Sequence, residues 1–338
     1  MRACWCGSEA MDDITRQSLA TATGVVAGVY VALWAGLEQP YWAAISALII
    51  ANVDRGALFT KGVLRILGTI GGVVLGYQVS LLLEGFPVFQ GLMLMLAAGT
   101  GMYLRQRTRY PYAWFYGALS FMLIILCSMT TPTELYSFAI YRFMEIVIGV
   151  VAATLAAFAI GRRDGSPWGI AALPPTLPPE EALRQGFAAA VGVITIVVGW
   201  AIFDLPQVIQ VVVSSLVVVD SNVNNTRHRG WQRILGCVIG GVTGLLVIWV
   251  DASDFVWWSA SLFAGIFLFS RIHLGKTPNA YVGTQSALAF IVTLVGSGPP
   301  DSIMPPLNRL IGIIVGVSIM TVVVWAISAR RPASAPAT

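Results

Sequence analysis

Guanidinium groups bind carboxylates through paired hydrogen bonds, and this sequence places basic residues at matching positions in two copies of one segment. Each copy has two basic residues followed by three glycines: Lys61, Arg65, Gly68, Gly72 and Gly76 in the first, and Arg229, Arg233, Gly236, Gly240 and Gly244 in the second, 168 residues later. Spacings of three and four residues place each set on one face of a helix. The pattern predicts two helices that begin with cations, continue as a glycine stripe and face an anion pathway.

Both parts of this pattern have a structural alternative. Basic residues near a helix end, such as Arg65 and Arg233, also extend their charges to the cytoplasmic interface of ordinary membrane helices. Glycines at four-residue spacing also let two helix backbones approach closely. The sequence leaves these interpretations open, and they are compatible if the glycines pack while the cations flank the pathway.

Charges well inside apolar segments form a second candidate group. Arg142 and Arg309 occupy corresponding positions in two apolar runs. A charge near the bilayer centre costs about 2.5–3.5 kcal/mol on insertion scales, so it needs a function or a partner. Glu145 lies one helical turn from Arg142 and can simply neutralise it. Glu145 is also the one acid well inside a predicted helix, which makes it the candidate proton carrier.

Two apolar segments at matching places are unusually short. The segment 41–53 has thirteen residues, which span about 20 Å as a helix, against a hydrocarbon core of about 30 Å. Its counterpart is 206–219, and the polar residues Asp54 and Asp220 follow the two segments. Matching short segments in two repeats are typical of a transporter's binding site. Asp54 and Asp220 therefore join the predicted substrate pathway.

The elements that position these residues are apolar helices. Hydrophobic residues make up 57% of the 338 residues and charged residues 11%, against about 25% charged in soluble proteins. Apolar runs fall near 17–37, 41–53, 62–83, 87–104, 112–129, 137–160, 185–203, 206–219, 231–250, 255–270, 280–296 and 308–327. We therefore predict an all-α integral membrane protein with about twelve transmembrane helices. Its tryptophans, Trp42 among them, are interpreted mostly as an interfacial belt.

The two halves of the chain repeat each other beyond the basic segment. Corresponding residues include Gly24 and Gly192, Ser46 and Ser214, and, with a one-residue slip, Gly149 and Gly316. Equivalent helices are six crossings apart, so we expect two parallel six-helix repeats around a pseudo-twofold axis along the membrane normal. The predicted divisions are a first repeat at 1–160, a cytoplasmic proline-rich linker at 161–183, a second repeat at 184–329 and a cytoplasmic tail at 330–338.

The distribution of charge predicts the orientation of the chain. All basic residues except Arg142 and Arg309 lie in alternate loops, in the tails or at the same helix edge, whereas the other loops carry acids. By the positive-inside rule both termini are cytoplasmic. The two histidines, His228 and His273, provide no zinc site or catalytic triad. We predict no enzymatic activity, metal, cofactor or nucleic-acid partner.

The sequence around the first basic pair resembles the fusaric acid resistance and aromatic acid exporter superfamily. The residues that carry this resemblance are Pro40-Tyr41-Trp42-Ala43-Ala44-Ile45, Arg55-Gly56-Ala57-Leu58, Lys61-Gly62 and Arg65-Ile66-Leu67-Gly68-Thr69. The same stretch is similar to the plant aluminium-activated malate transporters. The resemblance implies export or permeation of organic anions through the bilayer, in bacteria often beside a periplasmic membrane-fusion protein. The second copy departs from the pattern, with Gln210 opposite Trp42 and Cys237 in place of the threonine.

These observations predict a secondary, not ATP-driven, transporter in the bacterial inner membrane that exports small organic anions, aromatic or other weak carboxylic acids. Two alternatives remain open: an uncoupled anion channel of the malate-transporter type, and a membrane assembly protein without transport activity.

Overall fold

The computed structural model describes residues 3–161, 176–204, 207–220, 222–251, 254–275, 277–297 and 303–329. Most of the predicted linker and the whole of the predicted tail, 330–338, lie outside these residues. The described part contains twelve α-helices and one 3-10 turn, Pro132–Glu134. The helices are α1 (Ala3–Trp34), α2 (Tyr41–Ile50), α3 (Arg55–Leu82), α4 (Pro87–Arg107), α5 (Pro111–Thr130), α6 (Leu135–Ala159), α7 (Pro179–Phe203), α8 (Val208–Val218), α9 (Val223–Asp251), α10 (Phe255–Leu274), α11 (Ala280–Leu294) and α12 (Met304–Ala329).

The predicted class, an all-α membrane protein, is confirmed. Nine of the described helices are long and apolar enough to cross a bilayer. Large apolar side chains such as Leu155, Val242 and Leu246 are exposed on these helices, as expected where a helix faces lipid instead of water. The helices α2, α8 and α11 are shorter, with 10, 11 and 15 residues. The number of complete crossings therefore stays a prediction.

The helices form two compact units, and each unit draws on both halves of the sequence. The first unit consists of Met1–Ile70, Tyr136–Ala172 and Gln232–Leu310, and the second of Gly71–Leu135, Leu173–Trp231 and Ile311–Thr338. The first unit thus holds α1, α2, α10 and α11 whole, and the second holds α4, α5, α7 and α8 whole.

The same packing scheme occurs within each unit. In the first unit α1 packs on α2 and α10, and α11 packs on α10 and α2. In the second unit α7 packs on α8 and α4, and α5 packs on α4 and α8. Each contact of one unit becomes a contact of the other when every helix is exchanged for the helix six positions away. This is the scheme that a six-helix repeat predicts, although the twofold axis itself stays a prediction.

The core of the first unit surrounds the short helix α2. Leu48 and Ile50 of α2 are fully buried, together with Val25 of α1, Ile266 of α10 and Ile291 of α11. A ten-residue helix has little stability by itself, because most helical stability in proteins comes from packing an apolar face. Here seven of the ten residues of α2 are buried, so its position is determined by its neighbours.

Candidate anion-binding site

Five charged side chains are buried in the part of the chain that the structure describes, and four of them are arginines. Their exposed fractions are 1% for Arg65, 2% for Arg142, 2% for Arg233, 5% for Arg309 and 1% for Glu145. All five belong to the first compact unit. Buried arginines are rare unless they are paired or contact a ligand. The first unit therefore has an excess of buried positive charge.

Two of these arginines contact the same face of α2. The guanidinium carbon of Arg142 lies 3.7 Å from the centroid of the Trp42 ring, which is a close cation–π contact. Arg65 Nη2 donates a hydrogen bond to Ser46 Oγ at 3.2 Å. Trp42 and Ser46 are one turn apart on α2, so the two guanidinium groups contact adjacent turns of one helix.

A hydrogen-bond network holds the Trp42 ring in place. Tyr41 Oη and Trp42 Nε1 both donate to Gln39 Oε1, at 2.6 and 2.9 Å. The backbone N–H of Gln39 donates to Glu145 Oε1 at 3.0 Å. Glu145 also interacts electrostatically with Arg142. The carboxylate thus joins the segment before α2 to α6, and this contact fits structural pairing as well as a role in proton transfer.

The other two buried arginines are Arg233 of α9 and Arg309 of α12, and both belong to the first unit. Arg233 Nη1 donates to Gln285 Oε1 of α11 at 2.8 Å. The Arg309 guanidinium interacts electrostatically with Arg233 and with the Cys237 thiol. Because α2 and α11 pack on each other, the two short helices of the first unit both carry contacts of the buried arginines.

The predicted cations at the helix starts lie deeper in their helices than expected. The helix α3 begins at Arg55, so Lys61 and Arg65 lie in its second and third turns. The helix α9 begins at Val223, which places Arg229 and Arg233 at the same depth. The expectation that they stand at the helix entrance is therefore wrong, because polar residues before each apolar run are also helical.

The outer member of each basic pair is less buried than the inner one. Lys61 is half-buried. The side chain of Arg229 is 48% exposed, and its Nη1 lies 3.4 Å from Asp220 Oδ2. An exposed ion pair of this kind contributes little to stability. The described contacts therefore group Arg65 and Arg233 with Arg142 and Arg309, and leave Arg229 in a separate surface pair in the second unit.

The two predicted pathway acids lie in turns before α3 and α9. Asp54 is exposed, and its Oδ1 accepts from the N–H groups of Gly56 and Ala57 at 2.7 and 3.3 Å. These bonds make Asp54 the N-cap of α3, because they satisfy donors that a helix start leaves free. Asp220 Oδ1 accepts from the N–H of Asn222 at 3.1 Å. A role of either acid in transport stays a prediction.

The glycine stripes pack closely on neighbouring helices. A Cβ on Gly72 would collide with the carbonyl oxygen of Gly117, and one on Gly76 would lie 3.0 Å from Ile124 Cβ, both in α5. The second stripe approaches α11: a Cβ would lie 2.6 Å from Gln285 Cβ on Gly236, 2.7 Å from Thr293 Cβ on Gly244, and against the Ser286 carbonyl on Gly240. Gly68 is half-buried. These distances support the packing interpretation of the stripes.

Sequence reasoning missed the aromatic and amide partners of the arginines. Trp42 was expected in the interfacial belt, yet it is partly buried and lies under Arg142. Gln39 and Gln285 carried no sequence signal of their own. The signal for Trp42 was its place in the Pro40-Tyr41-Trp42 segment that carries the family resemblance.

Residues 15–168 match the model of the fusaric acid resistance protein family, and residues 186–324 match the fusaric acid resistance protein-like model. No solved structure gives a significant match.

Curated relatives include proteins named p-hydroxybenzoic acid efflux pump subunit AaeB, from Enterobacter cloacae, Escherichia coli O1:K1 and Shigella boydii serotype 18. Each is 29% identical to this chain over 152 residues, which cover 42% of this chain and 23% of the relative. The match thus spans about a quarter of the length of these relatives. The two family matches together extend over most of the sequence, and the chain belongs to the fusaric acid resistance superfamily.

Proposed function

We propose that this membrane protein exports small organic anions, aromatic carboxylic acids among them, across the bacterial inner membrane by secondary transport. The observation that carries the proposal is the burial of four arginines and one glutamate in the first unit. At about 2.5–3.5 kcal/mol for each arginine on insertion scales, this arrangement costs on the order of 10 kcal/mol. A substrate carboxylate offsets part of that cost while it is bound, because it supplies the missing negative charge.

The neighbours of Arg142 favour an aromatic acid over a small inorganic anion. Arg142 stacks on Trp42, and the Tyr41 ring lies beside the Trp42 ring with centroids 5.3 Å apart. Indole and phenol rings give an apolar surface for a second ring, and a guanidinium matches the two oxygens of a carboxylate. The AaeB relatives are named for p-hydroxybenzoic acid, which has both an aromatic ring and a carboxylate. We therefore propose hydroxybenzoate-like substrates.

The test is transport by the purified full chain in liposomes. We expect release of loaded 4-hydroxybenzoate but not of the neutral 4-hydroxybenzamide. Arg65→Gln and Arg233→Gln should each slow release at least tenfold, since each removes a buried charge that the substrate meets. Arg271→Gln is the matched control, because Arg271 is basic but exposed. Equal rates in all three variants would assign the buried arginines a role in membrane insertion only.

Energy coupling is tested through Glu145. If Glu145 carries the proton, Glu145→Gln should abolish transport driven by a pH gradient and retain exchange of labelled for unlabelled substrate. An uncoupled channel predicts anion currents without any pH gradient, in both the parent and the variant. A membrane assembly protein predicts no flux of either kind, with loss of assembly on substitution of Gly240 but not of Arg65.

A periplasmic membrane-fusion protein is the partner implied by the family resemblance. Copurification of such a protein with the tagged full chain from crosslinked cells would support this partnership, provided that the protein is absent from the same preparation without crosslinker. Export of 4-hydroxybenzoate by the chain alone into the periplasm, at the same rate in cells without any fusion protein, would show that the partner is dispensable.

A further inference from the structure

The second compact unit contains a cavity of about 460 Å³ that the anion site does not use. It lies where α3, α5 and α7 end and α4 begins. Its lining combines polar groups with apolar surface, namely Ser80, Glu84, Gln90, Ser128, Pro132 and Trp200. Pockets of roughly 300–1,000 Å³ with mainly apolar walls and a few polar groups are the usual form of small-molecule sites.

One polar group in this lining has an unused hydrogen-bonding capacity. Ser80 is 2% exposed, and its hydroxyl has no hydrogen-bond partner among the described residues. Gln90 is 5% exposed, and its Nε2 donates to Ser128 Oγ at 3.2 Å. Buried hydroxyl groups are normally satisfied, so an exception requires an explanation. A ligand that hydrogen-bonds Ser80 in the cavity provides one.

The corresponding corner of the first unit is filled by an aromatic side chain. The residues 168 positions after Ser80 and Gln90 are Ile248 and Trp258. Trp258 is 9% exposed, and its Nε1 donates to the Leu294 carbonyl at 2.8 Å. It also packs beside the rings of Tyr30 and Phe255. The same helix packing therefore leaves this corner filled when an indole side chain is present. The second unit has a cavity there because Gln90 occupies the position that corresponds to Trp258.

We propose that the cavity binds a neutral phenol, an aromatic ring that carries a hydroxyl group. The aromatic ring of the ligand occupies the position that corresponds to the Trp258 indole in the first unit, and it contacts Trp200 and Pro132. The hydroxyl group bonds Ser80, which accepts or donates as required. An anion is disfavoured, because the one charged residue in the lining, Glu84, is an acid. A cation gains little, because Glu84 is exposed and its charge is screened by water.

The test uses the purified full chain in lipid nanodiscs and fluorine NMR of 4-fluorophenol. We expect line broadening that excess phenol reverses, with weaker effects on 4-fluorobenzoate, 4-fluorobenzylammonium and fluorobenzene. Ser80→Ala should weaken the affinity about three- to tenfold, the size of one hydrogen bond. Gln90→Trp should remove binding, because it introduces the side chain that fills the first unit. Thr195→Ala, whose hydroxyl bonds only the helix backbone at an exposed position, is the matched control.

Three results would overturn the proposal. Equal broadening in the parent, Ser80→Ala and Gln90→Trp would mean partition into the bilayer alone. Preference for the benzylammonium ion would mean that Glu84 dominates and the ligand is a cation. Full affinity in Ser80→Ala is decisive even if Gln90→Trp does not fold, because removal of an unpartnered hydroxyl should leave the fold intact. The cavity shares no residue with the buried arginines, so the transport assay does not bear on this result.

Discussion

Single alanine substitutions at three glycines of α3 distinguish the effect of helix packing on stability from the effect of helix propensity. A Cβ on Gly71 meets nothing within 4 Å. A Cβ on Gly76 lies 3.0 Å from Ile124 Cβ and 3.1 Å from the Phe121 carbonyl oxygen. A Cβ on Gly72 collides with the Gly117 carbonyl oxygen and lies 3.0 Å from Phe121 N. The obstruction therefore increases from Gly71 through Gly76 to Gly72.

The three alanine substitutions share one favourable contribution. Glycine is about 0.8–1.0 kcal/mol less favourable than alanine inside a helix, so each variant gains about this much. Overpacking costs about 1–3 kcal/mol, and we expect the upper part of this range at Gly72, where backbone atoms that have no alternative rotamer obstruct the methyl group. The difference between Gly72→Ala and Gly71→Ala isolates the steric cost, because the propensity gain cancels. We expect about 2–3 kcal/mol, with Gly76→Ala in between.

Reversible unfolding by sodium dodecyl sulfate in mixed micelles, followed by circular dichroism, measures these free energies. Gly71→Ala should be as stable as the parent or more stable, and Gly72→Ala should be the least stable of the three. Equal stability of Gly72→Ala and Gly71→Ala would refute the reasoning, because it would mean that α3 and α5 do not approach as described.

Three further predictions concern the membrane topology, the cap of α3 and the tryptophan under Arg142. Reporter fusions at Glu84 should give periplasmic activity and fusions at Arg107 cytoplasmic activity, as the charge distribution predicts; the reverse result would invert the predicted orientation. Asp54→Ala should lower the free energy of unfolding by about 0.5–2 kcal/mol and Asp54→Asn by much less, because asparagine also caps helices; equal losses in the same unfolding assay would mean that the charge matters and not the cap. Trp42→Leu should weaken 4-hydroxybenzoate transport more than Trp42→Phe, since phenylalanine retains an aromatic face for Arg142; equal effects in the liposome assay would assign Trp42 to packing alone.

The helices themselves could be predicted because apolar runs and their breaks are local properties of the sequence. Pro87 and Pro111, for example, each begin a helix close to the predicted start of an apolar run. The predictable part of the site was also local: the repeat and the burial cost identified Arg65, Arg233, Arg142 and Arg309 as unusual.

The partners of these arginines could not be predicted, because they lie on other helices. Helical periodicity specifies which residues share a face, but not which face of a distant helix they meet. Trp42 and Arg142 are brought together by the packing of α2 and α6. Gln285, which accepts from Arg233, has no counterpart in the first half, so the repeat carried no information about it. Asp54 had a local signal, since aspartate is one of the preferred residues at a helix N-cap.

The interleaving of the two sequence halves has a consequence for biosynthesis. The helix α1 is the first to leave the ribosome, but its packing partner α10 is among the last. The second unit differs, since α4 and α7 are both translated before the middle of the second half. The α4–α7 contact can therefore form during synthesis before α10 has been translated. The side of α1 that packs on α10 remains exposed to lipid or to an insertase during this interval. Synonymous codons that slow translation between α7 and α10 should prolong that interval and expose the nascent first half to proteolysis.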